Sequence, residues 1–313
     1  LKCHNTKVAN VMENSTSTSD SVSAPTEIEL KLALAPAQLN TLLSHTALTE
    51  TPQRQHLSNT YFDTPAGDMA NARIAVRLRQ VDDRVLQTVK TAGHGGGGLS
   101  TRQEWEWQVP NPQLDQHGLA ALPPFKSSLG TAISALRPAL RTDFTRRSWQ
   151  IDWQGSHIEL VLDEGEIVSG GAQAAICEVE LELKAGEPEA LWGLALTLAE
   201  SVPLRPSDTS KAARGNALGV QQWALPEADT LAEWLHRATV ALDAYHDSGL
   251  AEHLTIAQQA LATLATHPQL DESSHRHAQV LTKSLTENGY PTSAYGTAAL
   301  TLAHRFAYQT TLR

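Results

Sequence analysis

The sequence predicts an α+β fold: an eight-stranded antiparallel β-tunnel with flanking helices, followed by a small all-α C-terminal region. Three observations carry that expectation. About eight segments between residues 27 and 184 alternate polar or charged side chains with apolar ones, the period of a strand. Turn residues separate the segments at hairpin spacing with few helices between them, which favours a closed barrel over a βαβ sheet. After Gly219 the pattern turns helical.

Taken in chain order, residues 13–26 are rich in Ser and Thr and hold almost nothing to bury, so residues 1–25 are expected to be disordered. The stretch before Met12 lacks the apolar core of a secretory signal. Glu27-Ile28-Glu29-Leu30-Lys31-Leu32 alternates charge with aliphatic residue and reads as a strand. Residues 36–48 open with Pro36 and space Leu39, Leu42 and Leu43 helically. Strands follow near 54–63, 72–81, 84–91, 100–109, 143–154, 156–168 and 176–184, then a helix over 188–201. Asp82-Asp83, the glycines from Gly93 to Gly98, and Gly155-Ser156 supply turns. Leu231, Trp234, Leu235, Ala238, Leu242 and Tyr245 mark an amphipathic helix. Further helices are expected near 250–266 and 273–286, whereas 288–313 shows no clear period. Pro226 suggests a boundary, dividing the chain into a tunnel domain over 26–221 and a helical region over 222–313.

Composition narrows the function. With 34 acids against 24 Lys and Arg the net charge is −10, unlike a nonspecific nucleic-acid binder, whose affinity comes from neutralising phosphates. No apolar run approaches the ~18 residues of a spanning helix, so no membrane partner is expected. Two cysteines, Cys3 and Cys177, support neither a disulfide framework nor a four-thiolate zinc site, and a cytoplasmic location is expected.

The informative feature is which charges share a face. Glu27, Glu29 and Lys31 point one way; Arg73, Arg77 and Arg79 share a face near 72–80; Lys90 closes the next strand. Arg102, Glu104 and Glu106 alternate with Gln103, Trp105 and Trp107, and Asp163 sits with Glu159. Glu178, Glu180, Glu182 and Lys184 oppose Val179, Leu181 and Leu183. A half-exposed sheet with its charges in water would explain any one strand. Repeated one-signed clusters instead suggest something bound between them. Carboxylates hold a hard divalent cation, and Arg and Lys grip phosphate oxygens. A polyanion with its metal satisfies both sets, and a barrel of about eight strands is wide enough for a small ligand.

These residues resemble the CYTH proteins, the triphosphate tunnel metalloenzymes. Glu27-x-Glu29-x-Lys31 is similar to their ExExK signature. In the family's order follow Tyr61-Phe62-Asp63-Thr64-Pro65, Ala75-Val76-Arg77-Leu78-Arg79, Thr88-Val89-Lys90 and Asp143-Phe144-x-Arg146-x-x-Trp149. Leu162-Asp163-x-Gly165-Glu166, Cys177-Glu178-x-Glu180-x-Glu182 and Ser210-Lys211-Ala212-Ala213-Arg214-Gly215 complete the set. The last two look most like the bacterial inorganic triphosphatase branch, in which a helical CHAD domain follows the tunnel. The resemblance implies hydrolysis of inorganic triphosphate to diphosphate and phosphate with Mg²⁺ or Mn²⁺, two ions being expected. It implies Glu27 and Glu29 as metal ligands with a glutamate from Glu178, Glu180 or Glu182. Lys31, Arg77, Arg79, Lys90, Arg146, Lys211 and Arg214 would bind phosphates. Glu104 and Asp163 would face a second metal or the attacking water, with Lys211 at the terminal phosphate. The helical region departs from CHAD domains in being short and in holding only five Lys and Arg.

Adenylate cyclase, thiamine or nucleoside triphosphatase, and a non-catalytic polyphosphate binder are the competing expectations. Few aromatics fall on the charged faces, which favours a substrate without a ring. Gly93-His94-Gly95-Gly96-Gly97-Gly98 fits GxGxxG literally, but a strand rather than a helix follows, so it reads as a flexible hairpin loop.

Overall fold

A computed structural model describes residues 26–310, without the side chains of 308–310. The segment expected to be disordered, residues 1–25 with Cys3 and Met12, lies outside the described residues. The strands are β1 (Thr26–Leu34), β2 (Gln53–Asp63), β3 (Ala75–Val81), β4 (Arg84–Lys90), β5 (His94–Gly96), β6 (Leu99–Val109), β7 (Arg137–Trp153), β8 (Ser156–Ser169), β9 (Ala172–Ala185) and β10 (Leu204–Pro206). The helices are α1 (Leu39–Leu43), α2 (Asp68–Asn71), α3 (Gln116–Ala121), α4 (Glu189–Ala199), α5 (Lys211–Val220), α6 (Leu231–Ser248), α7 (Ala251–Ala265), α8 (Glu272–Leu281) and α9 (Ser293–Thr310).

Eight strands close a barrel in the order β1-β9-β8-β7-β2-β3-β4-β6, and β6 returns to β1. Every pairing is antiparallel. Closure puts one face of each strand inside, and here the usual arrangement is inverted: the charged face is interior and the apolar face exterior. Leu30, Leu32, Ile158, Leu160, Leu162, Val179 and Leu181 point outward and are almost fully buried. What buries them is a coat of helices. Trp192 and Leu194 of α4, Leu242 of α6, Leu261 of α7 and Leu302 of α9 join them in one continuous core. On the opposite wall Val76, Val89, Trp105 and Trp107 pack under α3 and the residues around Phe125 and Ile133.

Sequence reading and structure differ locally. β5 and β10 are three-residue strands, too short to show a period. β7 begins at Arg137 rather than 143, because its first residues pair with β2 and β8 beyond the alternating stretch. Residues 36–48 form only a 3₁₀ turn and α1. Arg73 does not share the face of Arg77 and Arg79: it is exposed at φ 56°, before β3 begins. Residues 293–310 are a long helix whose Tyr295, Ala298, Ala299, Leu302, Ala303 and Phe306 face the core at helical spacing. Interleaved Thr and Gly hid that stripe.

β1 forks. Its first half pairs with β6 from Thr26 to Leu30, and its last residues, Leu32 to Leu34, pair with β10. Lys31 stands at the branch, its N–H donating to Gly98 O at 2.9 Å and its C=O accepting from Ser207 N at 3.0 Å. The glycine loop is therefore not a free hairpin loop but part of the fork. Gly98 takes φ +92°, and a Cβ there would stand 2.6 Å from Lys31 O, so only glycine permits the approach.

Candidate active site

Alternation fixes which residues face inward, and the register sets their heights. Lys31 is opposite Glu180, Arg146 opposite Asp163, Asp163 opposite Glu178, and Lys90 opposite Glu104. Glu27, Glu29, Lys31, Arg77, Asp163, Glu178 and Lys211 are all buried, though each carries or can carry a charge. Burial of unpaired ions is costly, so the interior must be compensated, and its salt bridges fall into two groups.

One group lies around β1, β4 and β6. Lys90 Nζ reaches both Glu27 carboxylate oxygens at 2.8 and 2.9 Å and Glu104 at 3.2 Å. Arg102 donates to Glu27 at 3.0 Å and to Glu29. Both ExExK carboxylates are thus occupied by cations. Arg102 is the residue that sequence reasoning missed. Its place on the charged face of its strand was the available signal; the register of β1 with β6 sets it opposite Glu27. Burial pushes the Glu27 carboxyl up, but Lys90 and Arg102 outweigh it and hold its pKa at about 2 rather than 4.5. A depressed carboxylate contributes stability that is complete above about pH 4.5 and is lost as pH falls towards 2. In the metal-free protein, urea midpoints between pH 5 and pH 2.5 should therefore decline, with Glu27 accounting for about 2–3 kcal/mol. Glu27→Gln should flatten that decline; an equally steep profile would show that the pair does not act as described.

The second group surrounds Lys211, the first residue of α5, placed there by the Ser210 cap on Ala213 N. Lys211 Nζ contacts Asp163 at 2.7 Å, Glu180 at 3.0 Å and Glu178. Arg146 forks onto both oxygens of Asp163 at 2.7 Å and reaches Glu180 at 3.0 Å. Burial opposes the charged forms of Asp163 and Glu180, but Lys211 and Arg146 prevail and hold both below the usual carboxylate range. Among the described residues, Asp163, Glu178 and Glu180 form a group whose ligand oxygens lie within 4.8 Å of one another, a set of hard oxygen donors able to hold a cation. The expected ligand set of Glu27 and Glu29 with a β9 glutamate is not brought together in this way. Glu182 instead pairs with Lys184 at 2.7 Å. Arg214 is taken up by Asp247 of α6 at 2.6 Å and touches the cluster only through Glu178, at 3.3 Å.

Between the groups the wall is cationic. Arg77 binds Tyr61 Oη and Thr88 Oγ1, both at 3.3 Å, and stands 4.0 Å from Glu104. Arg79 binds Asn59 Oδ1 at 2.9 Å and, among the described residues, has no carboxylate at salt-bridge distance. Burial, Arg77 and Arg146 together press its pKa down to about 9. Such a cation is short of an anion. Further along the same strands, Leu140, Phe144, Ile167 and Ile176 form an apolar cluster with Leu218 of α5. Tyr61 and Phe144 are inward aromatics, but Arg77, Arg146 and Lys211 lie over their rings.

The model of the CYTH domain matches residues 25–215. An inorganic triphosphatase of Haemophilus influenzae is 34% identical over 215 residues, an alignment covering 67% of this chain and 58% of that protein. The chain thus spans little more than half the length of that relative. Among solved structures, a Hippeastrum protein proposed to be an adenylyl cyclase, and described as having a dominant triphosphatase activity, is 24% identical with a TM-score of 0.46. That alignment covers 64% of this chain and 98% of the other. A Pyrococcus horikoshii protein is 21% identical with a TM-score of 0.41, over 60% and 96% of the two chains. The family match over the barrel, with the ExExK strand lining a closed eight-stranded interior, places this chain in the CYTH domain family.

Proposed function

We propose that this protein hydrolyses inorganic triphosphate to diphosphate and phosphate inside the barrel, with Mg²⁺ or Mn²⁺ as cofactor. One observation carries the reading: a half-buried arginine, Arg79, with no carboxylate at salt-bridge distance among the described residues, stands beside Arg77 and Arg146 in the same interior as a three-carboxylate cluster. An anion binder needs the first; a metal-assisted hydrolase needs both. The similarity to the Haemophilus triphosphatase supports the same substrate.

Arg79, Arg77 and Lys31 would grip an extended phosphate chain, and Arg146 and Lys211 would neutralise charge growing on the leaving diphosphate. Asp163, Glu178 and Glu180 fit a hard divalent ion as oxygen donors, and Glu27 and Glu29 would hold a second once Lys90 and Arg102 turn to phosphate. Such ions polarise phosphoryl oxygens and lower the pKa of bound water. Glu104, within reach of Lys90 and Arg77, would orient the attacking water. Among the described residues no helix is long and apolar enough to cross a membrane. We place the protein in the cytoplasm on its cysteine usage.

Phosphate release should be measured side by side from triphosphate, ATP and thiamine triphosphate, with Mg²⁺, with Mn²⁺ and with chelator. Triphosphate is expected to turn over fastest, and only with metal. Faster turnover of ATP or thiamine triphosphate would reassign the substrate; tight binding without turnover would make the protein a polyphosphate sensor.

A further inference from the structure

Two carboxylates of α6 reach toward the interior: Asp247 through Arg214, and Asp243 through the residues that follow β10. Asp243, in the middle of α6, is 5% exposed and accepts four hydrogen bonds. Arg205 of β10 donates at 2.6 Å, Ser207 Oγ at 3.1 Å, and the backbone N–H groups of Asp208 and Thr209 at 3.2 and 3.1 Å. Three of these donors belong to the turn over residues 207–210, which fills the fork where β6 and β10 part from β1.

That turn touches two lysines of the interior, Lys31 and Lys211. Thr209, whose N–H is held by Asp243, offers its carbonyl to Lys31 Nζ. Ser207 N donates to Lys31 O, and Ser210 caps the helix that begins with Lys211. Asp208 ties in the other side of the fork, accepting from Gly98 N at 2.6 Å while His236 of α6 contacts it at 2.6 Å. Lys31 and the Gly97–Gly98 backbone also hold this segment, and Asp243 adds the anchors on its outer side. Burial pushes the Asp243 carboxyl up, yet Arg205 and Lys31 hold it below the usual carboxylate range, so it stays an acceptor at neutral pH.

We propose that Asp243 is a positioning residue: from outside the barrel it fixes the 207–210 turn, and through it the places of Lys31 and Lys211. This rests on the phosphate-gripping roles given to those lysines above. The helical region is then part of the site's scaffold, although it supplies no group that touches substrate.

The test compares Asp243→Asn, Ser207→Ala combined with Asp208→Asn, and the packing control Leu261→Ala, all in the full chain. Two readouts are taken: backbone hydrogen exchange, and kcat and KM for triphosphate with Mn²⁺. In the first two variants the amides of Asp208, Thr209 and Gly98 should exchange faster, and KM should rise about tenfold or more, since displaced cations weaken substrate binding. Leu261→Ala should lower the melting temperature and leave KM unchanged, because partial unfolding reduces the active fraction without altering the folded site. If Asp243→Asn does not fold, the Ser207 and Asp208 variant carries the same expectations. Unchanged exchange at the turn, or an unchanged KM in a folded variant, overturns the proposal. Loss of triphosphate turnover in the wild type would overturn the proposed function instead, and exchange would still decide whether Asp243 holds the turn.

Discussion

Replacing Lys211 with methionine is expected to lower folding stability by about 3–5 kcal/mol and to abolish turnover. Methionine nearly matches the lysine stem in volume, so packing is kept and the charge alone is lost. The ammonium compensates Asp163, Glu178 and Glu180 at once, and Arg146 cannot neutralise all three. Burial disfavours the Lys211 cation, yet the three carboxylates outweigh it and raise its pKa, which measures how strongly they depend on it. In urea unfolding at pH 7 the midpoint should fall sharply. The penalty should shrink below about pH 4, where the orphaned carboxylates take up protons. An unchanged midpoint would mean that these acids are compensated by something other than Lys211.

Arg79→Gln should behave in the opposite way. Arg79 is desolvated, repelled by Arg77 and Arg146, and, among the described residues, hydrogen-bonded by its side chain to the Asn59 amide oxygen alone. Its removal relieves that repulsion, so the metal-free protein should be as stable as the wild type or slightly more so. Affinity for triphosphate should nevertheless fall tenfold or more, about 1.4 kcal/mol at least, because under the proposed function this cation meets phosphate. Calorimetric titration of triphosphate, paired with urea unfolding, separates the two effects. A destabilised Arg79→Gln protein with unchanged affinity would assign the residue to folding rather than binding.

The contrast between these variants reflects what was legible in the sequence. Strict alternation in β1, β6 and β9 showed that Glu27, Glu29, Lys31, Glu104, Glu178 and Glu180 share faces, and about eight strands at hairpin spacing pointed to the barrel. Alternation does not say which face is inside. Here the outer face is the apolar one because helices cover it, and α6, α7 and α9 join α4 in that cover. Pairing was also hidden. Arg102 looked like one more charge on a mixed face, and only the β1–β6 register puts it against Glu27. Asp243 and Asp247 lie more than 30 residues beyond the groups they hold, on a helix whose stripe announces only its apolar side. The fork in β1 depends on β10, a three-residue strand with no period to read.

Under the proposed function, carboxylates and bases converge inside the barrel around a phosphate chain. The most direct measurement is a crystal structure of the protein with Mn²⁺ and a slowly hydrolysed triphosphate analogue, using the anomalous signal of manganese. Phosphoryl groups are expected within hydrogen-bond distance of Arg79 and Arg77, and manganese bound by Asp163, Glu178 and Glu180. Ligand seated on the outer surface, with Arg79 still bound only to Asn59 and no manganese inside, would contradict it.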